Sequence, residues 1–291
     1  MDSWVGGDGV LVERVREAIA GRWGGGDGVS GAARYALGAG GVLLRPLLLV
    51  RSALAVGGRL EDVLPAAVGV ECAHVGGLIH DDLISRREGR EAVHSRFGDG
   101  TAIITGDALG FTWFEALADV EARAEVVVEV MRVQANAGRL ACKGAALELG
   151  LGVDAPVSAY LEMAHYKTAA MTSAACRIGA LLAGAAPEHT VALAGFGEAL
   201  GMAMHLRGDL TRDLAQDPGE NRPTLTDLLA RHAHPNPGQQ ANDLAEHYTD
   251  RALAQLAQVP DGPHRRALEA WTHPGDLPSP RTATKQSSMH A

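Results

Sequence analysis

Two neighbouring carboxylates close one of the most apolar stretches of the sequence. Asp81 and Asp82 follow VECAHVGGLIH, and the basic pair Arg86 and Arg87 comes soon after them. Like charges held side by side repel unless a cation lies between them. Placing two carboxylates here therefore costs free energy that the burial of the apolar stretch does not explain. Taken alone, the stretch is explained more simply as a solvated helix end, where charged side chains are common.

A second acidic segment lies much later in the chain. In GMAMHLRGDLTRDL, His205, Asp209 and Asp213 are spaced by four residues and therefore share one helical face. Two such helices facing each other could hold Mg²⁺ between their carboxylates. Magnesium takes few carboxylates and completes its shell with water and phosphate oxygens, so the arrangement indicates a phosphorylated ligand. An ordinary charged surface helix explains the spacing of this segment equally well.

Long helices are needed to position these groups, and the sequence predicts an all-α chain. Strand patterns are nearly absent, whereas Ala, Leu, Glu and Arg recur at three- and four-residue spacings. Helices of this length need antiparallel partners to bury their apolar faces. The predicted helices lie at 59–84, 101–117, 121–149, 158–185 and 188–214.

Glycine and proline divide the chain without marking a second compact domain. We expect a Gly-rich N-terminal segment at 1–30 and a single helical domain at 31–273. The residues at 274–291 contain three prolines and few apolar side chains, so we expect a disordered tail there.

The composition excludes several classes of partner. The 291 residues are 46% apolar and 21% charged with a net charge of −9, whereas a surface that follows nucleic-acid phosphates needs surplus Lys and Arg. The most apolar run, VLLRPLLLV, contains Arg45 and is followed by Arg51, so no membrane insertion is expected. Cys72, Cys142 and Cys176 fit neither a disulfide framework nor a zinc spacing, so we expect reduced core thiols and a cytoplasmic protein.

The order of five motifs resembles that of the trans-isoprenyl diphosphate synthase family, the polyprenyl synthetases, from about residue 38 to about residue 271. GAGGVLLRPLLLV resembles the GGKxxRP element, and VECAHVGGLIHDD resembles the E-x-x-H helix that leads into the first DDxxD motif. AVHSRFGDGTAIITGDAL resembles PTVHxxFGxxxAIxxGDAL, and YKTAAMTSAACRIGALLAGA resembles the KTA helix. GMAMHLRGDLTRDL occupies the place of the second DDxxD. Each motif is weak alone, whereas five in the same order are a specific match.

The resemblance implies a single-domain isoprenoid-synthase bundle of antiparallel helices around a deep apolar pocket, usually as a homodimer. In such a bundle, Mg²⁺ bridges the aspartates to an allylic prenyl diphosphate, which ionises, and isopentenyl diphosphate attacks the cation from a separate basic site. The resemblance assigns catalysis and metal binding to Asp81, Asp82 and Asp209, with Asp213 as a further metal ligand. It assigns the allylic diphosphate to Arg86, Arg87, Lys167, Thr168 and Arg222, and a residual acceptor site to Arg45 and His74.

Several positions depart from the family pattern. Ser85 stands where the first motif has its third Asp, and Gly208 and Arg212 replace two acids of the second motif. Val42 replaces a Lys of the acceptor site and Glu88 replaces an Arg, which weakens the binding of a second diphosphate. We therefore expect an enzyme that ionises and cyclises a prenyl diphosphate, a terpene cyclase on this fold. Two alternatives stay open, a chain-elongating prenyltransferase that tolerates the substitutions and a non-catalytic partner subunit of such a synthase.

The pocket is expected to accept a substrate of about C20 or longer. The resemblance places Gly76 and Gly77 at the pocket floor, where large aromatic residues would cap short chains. Glycine inside a helix costs up to about 1 kcal/mol relative to alanine, so the pair indicates a demand for space, although tight helix packing explains it equally well. Phe111 and Phe114 are candidates to face the cation, although a core role is commoner for such residues.

Overall fold

The chain folds as an array of helices. The computed structural model describes residues 8–38, 43–85, 92–211 and 222–273. Within these ranges there are thirteen α-helices, one π-helical turn and no strand, so the all-α prediction is confirmed. The helices are α1 (Asp8–Arg22), α2 (Gly28–Gly38), α3 (Leu44–Ala55), α4 (Leu60–Ser85), α5 (Val93–Phe97), α6 (Asp99–Ala118), α7 (Ala124–Leu149), α8 (Val157–Ala164), α9 (Ala170–Leu182), α10 (Pro187–Leu210), α11 (Leu225–Arg231), α12 (Pro237–Leu256) and α13 (Pro263–Ala270).

Helix α4 is the central helix of the array. It packs along α6 and against α3, and it buries apolar side chains such as Val63, Ala67 and Val70. By length and composition alone α4 is apolar enough to cross a membrane, but 61% of its most apolar window is buried inside the fold. A helix that is covered by neighbours on most sides is apolar all round because it lies in a core.

The remaining long helices pack closely around α9. This helix contacts α3, α7 and α10, and α10 packs in turn on α12. A Cβ on Gly179 of α9 would lie 2.1 Å from the carbonyl oxygen of Leu49 in α3, and one on Gly197 of α10 would lie 2.5 Å from the carbonyl oxygen of Thr172 in α9. Because both contacts are with backbone atoms, only glycine lets these helices approach so closely.

The predicted helices agree with α4, α6, α7 and α10 to within a few residues at their described ends. The predicted helix at 158–185 divides into α8, a π-helical turn (His165–Ala169) and α9. A π-helical turn fits one more residue into a turn than an α-helix does, so it shifts the faces of the helix on either side of it. This shift is invisible to a search for helical periodicity.

The N-terminal segment contributes to the core. Helix α1 lies within the residues 1–30 that the sequence sets apart, and it buries Leu11, Val15 and Ile19. The four-residue spacing of these side chains places them on one face of the helix. The predicted tail at 274–291 lies outside the described residues.

The three cysteines lie in different environments. Cys72 and Cys176 are buried, as predicted, and burial raises the pKa of each thiol to about 12. Cys142 is exposed on α7, contrary to the prediction of a core thiol, because the buried face of α7 runs through Ala137 and Gly144 instead. The described chain therefore has one accessible thiol and two protected ones.

We expect Gly179→Ala to lower the free energy of unfolding by about 2–3 kcal/mol, because the added methyl group meets a backbone carbonyl that cannot yield without moving α3. Gly138→Ala on α7 is the matched control, since a Cβ there meets nothing within 4 Å and alanine is favoured over glycine in a helix by up to about 1 kcal/mol. Urea denaturation measures both changes. A Gly179→Ala variant as stable as the unaltered chain would show that α3 and α9 leave room for a methyl group between them.

Candidate functional site

The end of α4 carries the acidic pair. Asp81 and Asp82 lie in the last turns of this helix, which ends at Ser85. Because the C-terminal end of a helix is electronegative, two carboxylates there need compensating cations. Ser85, at the place of the family's third Asp, donates a hydrogen bond from Oγ to the Asp81 carbonyl oxygen at 2.6 Å. This residue therefore stabilises the helix end instead of adding a third carboxylate.

One compensating cation is Lys167. Its Nζ lies 3.3 and 3.2 Å from the two carboxylate oxygens of Asp81. Lys167 belongs to the π-helical turn, which approaches α7 so closely that a Cβ on Gly144 would lie 2.4 Å from the Lys167 backbone nitrogen. The glycine and the widened turn together place the ammonium group beside α4.

Glu148, in the last turn of α7, joins the two predicted diphosphate-binding cations. It forms an ion pair with Lys167, and its Oε1 lies 2.8 Å from Nε of Arg222. Its side chain is only 15% exposed. The sequence analysis missed Glu148, since the segment KGAALELG has no second acid and no family motif was matched there. The available signal was an acid in the last turn of a helix, where negative charge is disfavoured.

Asp209 of α10 is held by two partners. Arg222 places Nη2 2.9 Å from Oδ1 and Nη1 3.2 Å from Oδ2, and the hydroxyl of Tyr160 donates to Oδ2. Asp209 is 8% exposed. Burial raises its pKa, but hydrogen bonds from Arg222 and Tyr160 and the positive charge of Arg222 outweigh burial, and the pKa is lowered overall. Asp209 is therefore a buried, ionised carboxylate, and both of its oxygens accept hydrogen bonds.

These contacts form a continuous chain of charges across the bundle. The order is Asp81, Lys167, Glu148, Arg222 and Asp209. Three carboxylates against two cations leave a net negative charge, and Asp82 lies beside the first of them in sequence. By themselves, these five side chains therefore carry too little positive charge to attract a diphosphate.

The remaining residues predicted for the allylic and metal sites are placed as follows. Thr168 lies next to the chain of charges, with its Oγ1 2.8 Å from Nδ1 of His205. Arg86, Arg87 and Asp213 lie outside the described residues. Within the described ranges, no group of three or more His, Cys, Asp or Glu side chains is arranged to hold a metal ion.

The two predicted acceptor-site residues meet between α3 and α4. Arg45 places Nη1 2.8 Å from Nε2 of His74. Burial and the charge of Arg45 hold the pKa of His74 well below its usual value, so the ring is neutral. Glu71, one turn earlier on α4, is 5% exposed, and burial raises its pKa to about 7 although the charge of Arg45 opposes this shift. The acceptor site therefore combines a partly buried guanidinium with a neutral imidazole.

An apolar crevice of about 500 Å³ opens between α6 and α7, with Ala73 of α4 in its lining. Asp81, Gly77 and Ala73 are spaced by four residues and share one face of α4. A Cβ on Gly77 would meet nothing within 4 Å, so open space lies between the acidic end of α4 and the crevice. The other lining residues are Gly110, Trp113, Phe114, Val128, Met131, Arg132, Gln134 and Ala135.

The four predicted pocket residues have different surroundings. Gly76 faces α6, where a Cβ would lie 2.6 Å from the carbonyl oxygen of Gly106, so it serves helix packing. Gly77 faces open space and Phe114 lines the crevice. Phe111 is 66% exposed and does not line the crevice, because the buried face of α6 runs through residues such as Gly106 and Leu109 and turns Phe111 outward.

Comparison with known proteins gives a consistent set of relatives. A family model described as Polyprenyl synthetase matches residues 27–234. A protein named geranylgeranyl diphosphate synthase from Methanosarcina mazei is 41% identical over 184 residues, which are 62% of this chain and 57% of the relative. A protein of the same name from Mycobacterium tuberculosis is 35% identical over 231 residues, 77% of this chain and 65% of the relative. The matched part thus spans less than two thirds of the length of these two curated relatives.

A solved structure gives the same result at the level of the fold. The geranylgeranyl pyrophosphate synthetase of the archaeon Geoglobus acetivorans is 27% identical to this chain, with a TM-score of 0.84 over 91% of this chain and 96% of that one. The helical arrangement is therefore shared almost from end to end.

These names correct the expectation of a terpene cyclase, which is wrong. The relatives are named diphosphate synthases, and they include a geranylfarnesyl diphosphate synthase from Aeropyrum pernix at 33% identity. The expectation rested on Val42 and Glu88, which replace two basic residues of the acceptor site and lie outside the described residues. It gave too little weight to Arg45 and His74, which the fold brings into direct contact.

We expect Glu148→Gln to lower the free energy of unfolding by about 2 kcal/mol, because Lys167 and Arg222 both lose an ionised partner in a half-buried setting. Glu162→Gln is the matched control, since Glu162 pairs with Lys143 on the exposed surface and such pairs contribute about 0–1 kcal/mol. Urea denaturation at pH 7 compares the two variants. Equal losses in both would show that Glu148 does not hold the two cations in place.

Glu71 gives the fold a pH dependence. Its pKa is about 7 in the folded chain against an ordinary value of 4.5, so between these pH values the folded chain binds more protons than the unfolded chain and its stability falls as pH rises. The Glu71→Gln variant does not lose stability in this way. The difference in free energy of unfolding between the variant and the unaltered chain is therefore expected to rise by about 2 kcal/mol in favour of the variant from pH 5 to pH 8. Urea denaturation at both pH values tests this, with the exposed Glu61→Gln as the control for net charge. The same difference in free energy of unfolding between the Glu71→Gln variant and the unaltered chain at both pH values would contradict this expectation.

Proposed function

Because the chain belongs to the polyprenyl synthetase family, we propose that it is a chain-elongating trans-prenyltransferase, which joins an allylic prenyl diphosphate to isopentenyl diphosphate. The observation that carries the proposal is the chain of charges from Asp81 to Asp209 beside an apolar path along α4. A prenyl diphosphate has a charged head and an apolar tail, and the site offers a surface for each.

The head group is bound by Lys167 and Arg222, whose charges are shared with three carboxylates. Because the two cations and three carboxylates together are net negative, the diphosphate needs accompanying cations. Asp81 and Asp82 fit Mg²⁺, since two carboxylates leave room for phosphate oxygens and water in the coordination shell of the ion. Magnesium, when bound, supplies the positive charge that stabilises the leaving diphosphate. Lys167 and Arg222 orient that diphosphate so that the carbon–oxygen bond breaks beside them.

The acceptor is held by Arg45 and His74. The partly buried guanidinium pairs with the diphosphate of isopentenyl diphosphate, and the neutral imidazole of His74 holds the guanidinium in place at 2.8 Å. The new carbon–carbon bond forms between the acceptor double bond and the allylic carbon as the carbon–oxygen bond to the first diphosphate breaks, and the released diphosphate accepts the proton that the acceptor loses. The apolar surroundings keep water away from the cationic carbon.

The tail lies along the face of α4 that contains Gly77 and Ala73. Ala73 is two helical turns from Asp81, or about 12 Å along the axis, and it opens into the crevice bounded by Trp113 and Met131. An open path of this length supports products of about C20 or longer, in keeping with relatives named for geranylgeranyl and geranylfarnesyl diphosphate.

A homodimer in the cytoplasm is part of the proposal. Exposed apolar side chains lie on α6 and α7, three of them in the lining of the crevice, and exposed apolar surface of this kind is typical of an interaction site. We assign this surface to the subunit interface. The side chains are Ile103, Ile104, Phe111, Phe114, Val128 and Met131.

The proposal is tested by incubating the protein with Mg²⁺ and geranyl, farnesyl or geranylgeranyl diphosphate, with and without isopentenyl diphosphate. We expect longer prenyl diphosphates only when isopentenyl diphosphate is present, as measured by mass spectrometry. Gly77→Phe is expected to shorten the products by one or more isoprene units, because the ring fills the open space beside α4. Leu78→Phe, at the neighbouring exposed position, is the matched control and leaves product length unchanged.

Hydrocarbon or alcohol formed without isopentenyl diphosphate would overturn the proposal. So would the absence of any product from protein that folds normally, which would instead support a non-catalytic partner subunit. Equal product lengths for Gly77→Phe and the unaltered chain would contradict the assigned path of the tail.

A further inference from the structure

Asp209, although predicted as a metal ligand, has surroundings unlike those of an open ligand. We infer that Asp209 is not a magnesium ligand in this chain, and that the guanidinium of Arg222 takes the place of a cation between α7 and α10. This inference rests on the proposed function. It narrows the metal-binding residues of the described site to the acidic end of α4.

Both oxygens of Asp209 are committed to hydrogen bonds. Arg222 contacts Oδ1 at 2.9 Å and Oδ2 at 3.2 Å, and Tyr160 donates to Oδ2 as well. Asp209 is 8% exposed, so water has little access to its oxygens. Because magnesium keeps several water ligands and releases them reluctantly, a buried carboxylate with occupied oxygens is a poor partner for it.

Arg222 already bridges carboxylates on two facing helices. It holds Asp209 of α10 through Nη1 and Nη2, and it lies 2.8 Å from Glu148 of α7 through Nε. The planar fork of arginine reaches both carboxylates at once, whereas a lysine at this position would be a point charge.

The neighbouring sequence is consistent with the loss of a metal ion at α10. Gly208 stands where the second motif has its first Asp, and a Cβ there would meet nothing within 4 Å. Packing around the Cβ position therefore does not require glycine here, so the absence of the family's acid is not explained by a steric clash.

The acidic end of α4 differs in the way its partner is held. Lys167 contacts Asp81 at 3.2 and 3.3 Å with the same ammonium group that pairs with Glu148, at the end of a flexible four-carbon side chain. This ammonium group can release Asp81 to a metal ion and turn toward a diphosphate while it keeps Glu148. The guanidinium of Arg222 uses Nε, Nη1 and Nη2 to hold Glu148 and Asp209, so it keeps both carboxylates and meets a diphosphate only through its remaining N–H groups.

The test counts Mn²⁺ ions bound to the full chain in the presence of inorganic diphosphate, using the electron paramagnetic resonance signal of free Mn²⁺. Asp209→Asn is expected to bind as many ions as the unaltered chain, with an affinity within about twofold, whereas Asp81→Asn weakens binding by about tenfold or more. Asp261→Asn, which removes an exposed acid paired with Arg266, is the control for non-specific binding. Loss of one ion in Asp209→Asn overturns the inference.

A second variant decides the question if Asp209→Asn does not fold. Arg222→Gln removes the built-in cation and is expected to add one Mn²⁺ ion per chain, bound between Asp209 and Glu148. An unchanged count in this variant overturns the inference. If the unaltered chain binds no Mn²⁺ in the presence of diphosphate, the proposed function fails and this inference fails with it. If the unaltered chain binds Mn²⁺ and the Asp209→Asn variant binds one ion fewer, the inference alone is refuted.

Discussion

The shared carboxylate of Glu148 is the interaction on which the candidate site depends. It lies between two cations from different parts of the chain, Lys167 in the π-helical turn and Arg222 after α10, and through them it connects to Asp81 and Asp209. Three carboxylates for two cations leave the group short of positive charge. The proposed binding of metal ions rests on this excess of negative charge, and the pairing holds the two cations in place.

Much of the fold and part of the site could be predicted from the sequence. Helical periodicity predicts the long helices because most of them bury a large part of their surface, and the order of motifs identifies Asp81, Lys167, Arg222 and Asp209 as neighbours. Glu148 could not be found in this way. Its partners lie in two other segments, and its own helix gives one weak signal, a position in the last turn where negative charge is disfavoured.

The direction of individual side chains was the least predictable feature. Phe111 and Phe114 are three residues apart on α6 and both are more than half exposed, yet Phe114 lines the crevice and Phe111 does not. Which of the two reaches the crevice depends on the rotation of α6 over α4, where Gly76 closely approaches Gly106. The error about cyclisation has a similar origin, since it counted charges lost along the sequence while the contact between Arg45 and His74 is a property of the folded chain.

The uneven environments of the three cysteines make α7 accessible to spectroscopy without any mutation. Cys72 and Cys176 are buried with raised pKa values, so a thiol-reactive spin label or fluorophore attaches at Cys142 alone. Cys142 is six residues before Glu148, or about 9 Å along the helix axis. A label there reports on the helix that holds both site cations, and in a dimer formed through α6 and α7 two labels provide an intersubunit distance.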